Sequence, residues 1–218
     1  MNQPQAPKTS NTQRFFINPR AFVLTMEIEP GRHQLLTERY DENHGLLCFL
    51  SPMDAHIEGT LRARPGLSYS VLSTWSLSEK SFLTDNGLLV ALLHLGWSAR
   101  DGRLLLHQDG TPRQYGGPLL TWAGEDRPIK FEVGTTALCT LDRIYEQAGL
   151  FAWRETCESL LKEASEDLRA AAIQAVRAAR TMTPKGNEPA TQTALFDPEF
   201  GQWHFLPVTF TDDQPIND

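Results

Sequence analysis

Hydrophobic and polar residues alternate along much of the first 135 residues. In residues 21–29, Phe22 and Leu24 fall on one side of an extended chain, and Thr25 and Glu27 fall on the other. Alternation with a period of two is typical of a half-buried strand. The same period, or a short apolar run bounded by turn residues, predicts strands at 21–29, 34–40, 46–51, 67–75, 88–97, 103–107, 118–122 and 128–133.

The segment 88–97 is apolar on both sides, which fits either a central strand or a short buried helix. Asp101-Gly102 follows it and precedes another apolar run, and Asp-Gly in that position is a strong hairpin signal, so a strand is favoured. A helix is predicted where Ser51-Pro52 provides a cap and a first helical position.

The hydrophobic period changes to 3.6 near residue 139. Residues 140–147 predict one helix, ended by Gly149, and residues 151–180 predict a long amphipathic helix. Ser165 could equally cap a second helix, so a break there stays open. Apolar residues in 157–178 also follow a heptad spacing that would suit a homodimer, although covering the sheet is the preferred interpretation.

These elements predict an α+β fold, in which a mainly antiparallel N-terminal sheet is packed by C-terminal helices. A single domain is expected over 14–182, β-rich in 14–135 and helical in 139–182. Residues 1–13 are polar and predicted to be disordered. Residues 183–218 are predicted to be an acidic, partly disordered linker and tail, with a returning strand at 203–210.

Composition and charge narrow the class of protein. A chain of 218 residues with 40% hydrophobic and 22% charged residues is ordinary for a globular protein. Residues 184–218 hold one basic and six acidic residues, so most of the net charge of -7 lies there. The nearly neutral remainder argues against strong nonspecific binding of nucleic acid.

No apolar run is long enough to span a membrane, and the polar N-terminus does not resemble a signal peptide, so we expect a cytoplasmic protein. Three cysteines, Cys48, Cys139 and Cys157, are far apart and are interpreted as small buried residues.

One peptide points to a biological role. Gln192-Thr193-Ala194-Leu195-Phe196 resembles the Gln-x-x-Leu-Phe peptide by which many bacterial polymerases, repair proteins and replication regulators dock onto the DNA sliding clamp. The resemblance implies that Gln192 hydrogen-bonds at the rim of the clamp pocket, while Leu195 and Phe196 fill its apolar floor. The alternative is that the peptide packs back onto the body of the protein.

Two other groups of residues could carry chemistry. Asp54, His56 and Glu58 would share one face of a strand and could then bind a metal ion, but on a helix His56 would leave that face. A second group mixes basic and aromatic side chains and comprises Arg100, Arg103, Arg113 and Tyr115. It could form a surface that binds single-stranded nucleic acid weakly.

The leading hypothesis is a non-catalytic accessory or adaptor protein of DNA replication or repair, of bacterial or mobile-element origin, that docks on the sliding clamp. An alternative is an immunity or inhibitor protein that binds a protein partner. A further alternative is an enzyme of unrecognised type with a metal site at Asp54, His56 and Glu58. No cofactor motif, such as a P-loop or GxGxxG, is found in the sequence.

Overall fold

A computed structural model describes residues 20–29, 31–40, 43–82, 88–122, 133–186 and 188–208. The predicted disordered segment 1–13 lies outside the described residues. So do residues 209–218 of the acidic tail and nearly all of the predicted strand 128–133.

Eleven strands and four α-helices make up the regular structure of the described residues, which confirms the α+β class. In chain order they are β1 Phe22–Glu29, β2 Arg32–Leu35, β3 Thr37–Tyr40, β4 Asn43–Cys48, α1 Pro52–Arg62, β5 Tyr69–Ser73, β6 Leu88–Arg100, β7 Arg103–Leu105, β8 Gln114–Trp122, α2 Thr135–Gln147, α3 Trp153–Leu160, α4 Ser165–Ala178, β9 Thr181–Met182, β10 Gln192–Asp197 and β11 Gln202–Pro207.

The strands form two sheets rather than the single one predicted. The smaller sheet has the order β2-β1-β5 and is antiparallel. The larger has the order β11-β10-β6-β4-β3, with β7 and β8 also paired to β6. Most of its pairs are antiparallel, but β4 and β6 run parallel, because α1 and β5 provide the long crossover that a parallel pair requires.

A bulge in β6 changes the face of the sheet on which its later residues lie. Its register against β8 shifts between His94 and Gly96, so that the strand contains one extra residue. Leu93 therefore contacts the core on one face of the sheet, while Trp97 contacts the core on the other. Gly96 has a φ of 151° and approaches β10 so closely that a Cβ there would lie 2.8 Å from the Ala194 carbonyl oxygen.

Helices cover both faces of the larger sheet. On one face, Leu141 of α2 and Trp153 of α3 belong to the same core cluster as Leu93 and Leu195. On the other face, α1 and α4 pack against each other and against β6 and β10. The N-terminal helix α1 thus shares the covering role that was predicted for C-terminal helices alone.

The predicted long helix is interrupted. Helix α3 ends at Leu160 and α4 begins at Ser165. Ser165 is the residue at which the sequence allowed a second helix to start. Leu161 in the interruption is exposed, whereas Leu168 and Ala175 are buried in the cluster that α4 shares with α1. The heptad spacing through 157–178 is therefore not one continuous face, and its buried part contacts this chain's own core rather than a second copy.

Residues 188–208 join the sheet instead of forming a tail. Strand β10 lies between β11 and β6, and β11 corresponds to the predicted returning strand. Pro207 lies in the edge strand β11, as its missing N–H donor predicts. The larger sheet therefore includes strands from both sides of the domain boundary predicted near residue 182.

Candidate functional site

A cavity of about 350 Å³ lies where four segments meet, and we call it the Asp54 cavity. The start of α1, the end of α2 with its following turn, helix α3, and the β10-β11 hairpin form its walls. Its lining residues are Ser51, Asp54, Tyr145, Ala148, Gly149, Leu150, Phe151, Ala152, Trp153, Thr156, Cys157, Leu160, Phe196, Asp197, Pro198, Glu199, Phe200, Gln202 and His204.

Asp54 is positioned in the lining of this cavity by the helix start that the sequence predicts. Ser51 is the N-cap of α1, and its hydroxyl accepts a hydrogen bond from the Asp54 backbone N–H at 3.3 Å. The residue is only 8% exposed. Burial raises the pKa of the Asp54 carboxyl to about 7, with a hydrogen bond from Tyr145 opposing the rise and the charge of Glu58 adding to it.

Tyr145 and Cys157 face Asp54 from the two helices that follow the sheet. Burial and the neighbouring Asp54 raise the pKa of the Tyr145 hydroxyl well above its ordinary value, so it remains a proton donor. Burial, and then Asp54, raise the pKa of the Cys157 thiol to about 12. Cys157 is therefore a neutral thiol near pH 7 and a poor nucleophile.

The other two cysteines differ in burial, which corrects the prediction that all three cysteines are buried. Cys48 is buried in β4, but Cys139 is exposed. It lies on the solvent side of α2, whose buried face is formed by Ala137, Leu141 and Ile144.

Aromatic rings form much of the wall and the mouth. Tyr145 and Trp153 stack with their ring centroids 4.9 Å apart. Phe196 reaches the cavity from β10. Phe151 and Phe200 also line it, yet they are 77% and 78% exposed, so both lie at its mouth. Contiguous exposed apolar surface marks binding sites, and these two rings place apolar surface at the mouth of the cavity.

The β10-β11 hairpin closes one side of the cavity. The buried Asp197 side chain accepts hydrogen bonds from the backbone N–H groups of Glu199 and Phe200, at 2.9 Å and 3.2 Å. The Thr156 hydroxyl donates to the Glu199 carboxylate at 2.7 Å, which ties the hairpin tip to α3. The position of Phe200 is thus fixed by its own turn and by a contact across the cavity.

The charged groups of the lining are mostly acidic. Asp54, Asp197 and Glu199 carry carboxyl groups, and His204 lies 3.6 Å from Asp197. Among the described lining residues there is no lysine or arginine. The cavity is therefore mainly apolar and aromatic, with polar groups that favour a positive charge.

A second buried carboxyl group, that of Glu58, lies one turn further along α1 and is fully buried. Trp97 donates its indole N–H to Glu58 Oε2 at 2.7 Å, and Gln114 donates its amide N–H to Oε1 at 2.7 Å. Arg62 donates to Oε1 at 2.5 Å and also pairs with Glu38. We call these residues the Glu58 network.

The protonation of the Glu58 network follows from its donors. Burial raises the pKa of Glu58, while Arg62, Trp97 and Gln114 oppose the rise. All three neighbours donate, so a protonated carboxyl would find no acceptor, and we assign the carboxylate form. The Gln114 side-chain oxygen lies 2.6 Å from His94 Nδ1, so His94 carries its proton on Nδ1. Burial lowers the pKa of His94 to about 3 and keeps it neutral.

The three residues of the predicted metal site do not converge. Asp54 faces the Asp54 cavity, Glu58 belongs to the Glu58 network, and His56 lies on another side of α1 with Nε2 3.5 Å from the Ser165 hydroxyl. Helical spacing separates them, as the helix interpretation required. Among the described residues, no group of three or more histidine, cysteine, aspartate or glutamate side chains could hold a metal ion.

The clamp-like peptide forms strand β10 in the interior of the larger sheet. Leu195 and Phe196 are both buried, and they belong to the core clusters on opposite faces of the sheet. Gln192 accepts a hydrogen bond from the Gly102 backbone N–H at 2.9 Å. A clamp could take both apolar side chains into one pocket only if β10 left the sheet, because consecutive strand residues point to opposite faces.

Two of the four residues of the predicted nucleic-acid surface contact Glu188 of this chain. Arg100 pairs with Glu188, and Arg113 donates to the Glu188 carbonyl oxygen at 3.0 Å. Tyr115 is half-buried against the core, while Arg103 is exposed. The residues just before β10 therefore cover two of the arginines proposed to contact nucleic acid.

Sequence reasoning missed the Asp54 cavity because four distant segments form it. One local signal was present: Asp197-Pro198 and Gly201 separate two apolar runs, which is a turn pattern that predicts a hairpin. That hairpin would have placed residues 192–197 in a sheet. Nothing local indicates that its tip lies beside α3.

No protein-family model, no curated protein and no solved structure matches this chain. None of the described helices combines the length and the apolar character that crossing a bilayer requires. The function is therefore inferred from the Asp54 cavity itself.

Proposed function

We propose that this protein is a non-catalytic binding protein that takes a small, largely apolar ligand into the Asp54 cavity. One observation carries the proposal: a buried carboxyl group lies in the lining of an aromatic cavity of about 350 Å³. Ligand pockets generally have about this size, about 300–1,000 Å³, and combine apolar walls with a few fixed polar groups.

The geometry supports binding more than covalent chemistry. The Cys157 thiol, with a pKa raised to about 12, stays protonated. His204 is beside Asp197, whose other carboxylate oxygen accepts the hairpin N–H groups, so this pair helps to fix the turn. Phe151 and Phe200 at the mouth provide apolar surface that a bound ligand would cover.

Clamp docking and binding of a basic protein stay predictions from the sequence. The first needs Leu195 and Phe196 to be accessible, and both are buried. The second relied on the acidic tail, of which residues 209–218 lie outside the described residues, and on a helix face that is partly buried against α1. Neither has an observation in its favour comparable to the Asp54 cavity.

The proposal is tested with N-phenylnaphthylamine, an uncharged apolar fluorophore near neutral pH. We expect a saturable rise in its fluorescence with the full-length protein. Ala148→Phe adds a ring to the cavity lining and should weaken binding by about tenfold or more, since lost contact area lowers affinity. Ala171→Phe, on the exposed side of α4, is the matched control and should bind as the unaltered protein does.

Thermal unfolding and circular dichroism would check that both variants fold. Absence of saturable binding to the unaltered protein would overturn the proposal. So would equal binding by the Ala148→Phe and Ala171→Phe variants when both are folded.

A further inference from the structure

We infer that the ligand of the Asp54 cavity is an organic cation, such as an aromatic or long-chain amine, whose ammonium group pairs with the Asp54 carboxylate. The inference rests on the proposed function, because it concerns the same cavity. It adds the charge of the ligand and the group that recognises it.

The first argument is the balance of charge around the cavity. Asp54 lines the cavity from α1, and Asp197 and Glu199 line it from the hairpin. Lysine and arginine are absent from the described residues of the lining, so no permanently charged basic side chain there would attract a carboxylate or phosphate ligand. An ammonium group would gain a partner for a carboxyl group that is now held by the Tyr145 hydroxyl.

The second argument is the aromatic content of the walls. Tyr145, Trp153, Phe151, Phe196 and Phe200 all line the cavity. The faces of aromatic rings carry partial negative charge and attract cations, with tryptophan and tyrosine the strongest. Rings combined with buried carboxylates form an environment that suits an amine better than a neutral molecule of the same shape.

One feature opposes a cation: Asp54 lies in the first turn of α1, where the helix has its partial positive charge. That charge acts mainly on Asp54 itself and favours its ionised form. The ionised form is the one that an ammonium group needs, so the helix helps to prepare the carboxylate although it weakly repels the ligand.

The groups that face Asp54 define how binding should depend on pH. They are Glu58 from α1, Tyr145 from α2, Cys157 from α3 with Glu158 beyond it, and Asp197, Glu199 and His204 across the cavity. With the pKa of Asp54 raised to about 7, acidification below neutrality protonates it and removes the charge that would bind an ammonium group.

Three probes with one carbon skeleton test the inference: phenylbutylamine, phenylbutanol and phenylbutyrate. Their binding is measured by displacement of N-phenylnaphthylamine and by calorimetry. At about pH 8 the amine should bind about tenfold or more tightly than the alcohol, and the carboxylate should bind most weakly. Between about pH 8 and pH 6 the amine should lose up to about tenfold in affinity, while the alcohol should not change.

Three variants separate the charge of Asp54 from the shape of the cavity. Asp54→Asn should reduce amine binding to the level of the alcohol and abolish its pH dependence. Glu166→Gln, which removes an exposed carboxylate in α4, is the charge-matched control and should leave amine binding unchanged. Tyr145→Phe keeps the carboxylate but removes its donor, so the midpoint of the pH dependence should move upward.

The outcomes distinguish this inference from the proposed function. If the alcohol binds as tightly as the amine and the amine shows no pH dependence, the ligand is not a cation, although the cavity still binds apolar molecules. Tightest binding of phenylbutyrate would also overturn the inference. If N-phenylnaphthylamine binds but none of the three probes does, the inference alone fails. If N-phenylnaphthylamine does not bind either, the proposed function fails together with it.

Discussion

Asp54 and Glu58 lie one turn apart on α1, and both carboxyl groups are buried, yet their surroundings differ. Glu58 receives hydrogen bonds from a guanidinium, an indole and an amide group. Asp54 is held by the Tyr145 hydroxyl and faces a cavity. Removing one partner from a fully hydrogen-bonded buried charge is strongly destabilising, whereas a buried carboxyl group with few donors remains able to bind something else.

The largest effect should follow from breaking the Glu58 network. Glu58→Gln replaces the carboxylate with an amide, so that among the described residues the buried Arg62 keeps Glu38 alone as an ionic partner. We expect the free energy of unfolding to fall by about 3–5 kcal/mol, because a buried charge loses its compensation. Denaturant unfolding measures the change.

Glu166→Gln is the control for Glu58→Gln, since Glu166 is exposed at the start of α4. Its effect should stay within about 0.5 kcal/mol. A loss of less than about 1 kcal/mol for Glu58→Gln would show that the network contributes little, and the contrast with Asp54 would disappear.

Asp54→Asn should raise the free energy of unfolding at high pH, whereas Glu58→Gln lowers it. Burial raises the pKa of Asp54 from its ordinary 3.8 to about 7. Between these values the folded protein keeps a proton that the unfolded chain has lost, so stability from this group is present at low pH and is lost as pH rises through 7. The cost at pH 8 is at most about 4 kcal/mol, at about 1.4 kcal/mol per pKa unit.

Solvent that reaches Asp54 through the cavity mouth should reduce that cost. We therefore expect the Asn variant to be about 2–3 kcal/mol more stable than the unaltered protein at about pH 8, with the difference shrinking toward pH 4. Denaturant unfolding over this pH range measures it. A variant that is less stable at pH 8, as is expected of Glu58→Gln, would mean that Asp54 also serves the fold.

Several of the helices and turns around these two carboxyl groups could be predicted from the sequence. The Ser51-Pro52 signal correctly predicted that a helix starts there, and the Asp101-Gly102 turn correctly predicted a hairpin between β6 and β7. These features are local, since a cap or a turn depends on a few neighbouring residues.

The partners of those carboxyl groups could not be predicted in the same way. Glu58 meets Trp97 and Gln114 across 39 and 56 residues of sequence, and the bulge at Gly96 sets which face Trp97 occupies. The resemblance of five residues of β10 to a docking motif predicts an accessible peptide, whereas the burial of β10 depends on pairing with β6 and β11. Such pairings follow from tertiary packing, which residue periodicity does not encode.

The smallest effect we predict compares one indole N–H in each region. Trp97 donates to the fully buried Glu58 at 2.7 Å, and Trp153, in the wall of the Asp54 cavity, donates to Asp142 at 2.9 Å. Asp142 is 39% exposed and also pairs with Arg154. Trp→Phe at either position removes one donor to a carboxylate, but only at Trp97 does the acceptor have no access to water.

We expect Trp97→Phe to lower the free energy of unfolding by about 1–2 kcal/mol more than Trp153→Phe, because a buried charged acceptor left short of a donor bears a desolvation cost. Both variants lose similar ring area, so the difference reports mainly on the acceptor. Equal losses would show that burial of the acceptor does not decide the strength of these bonds. The indole bond to Glu58 would then contribute no more to stability than the indole bond to the partly exposed Asp142.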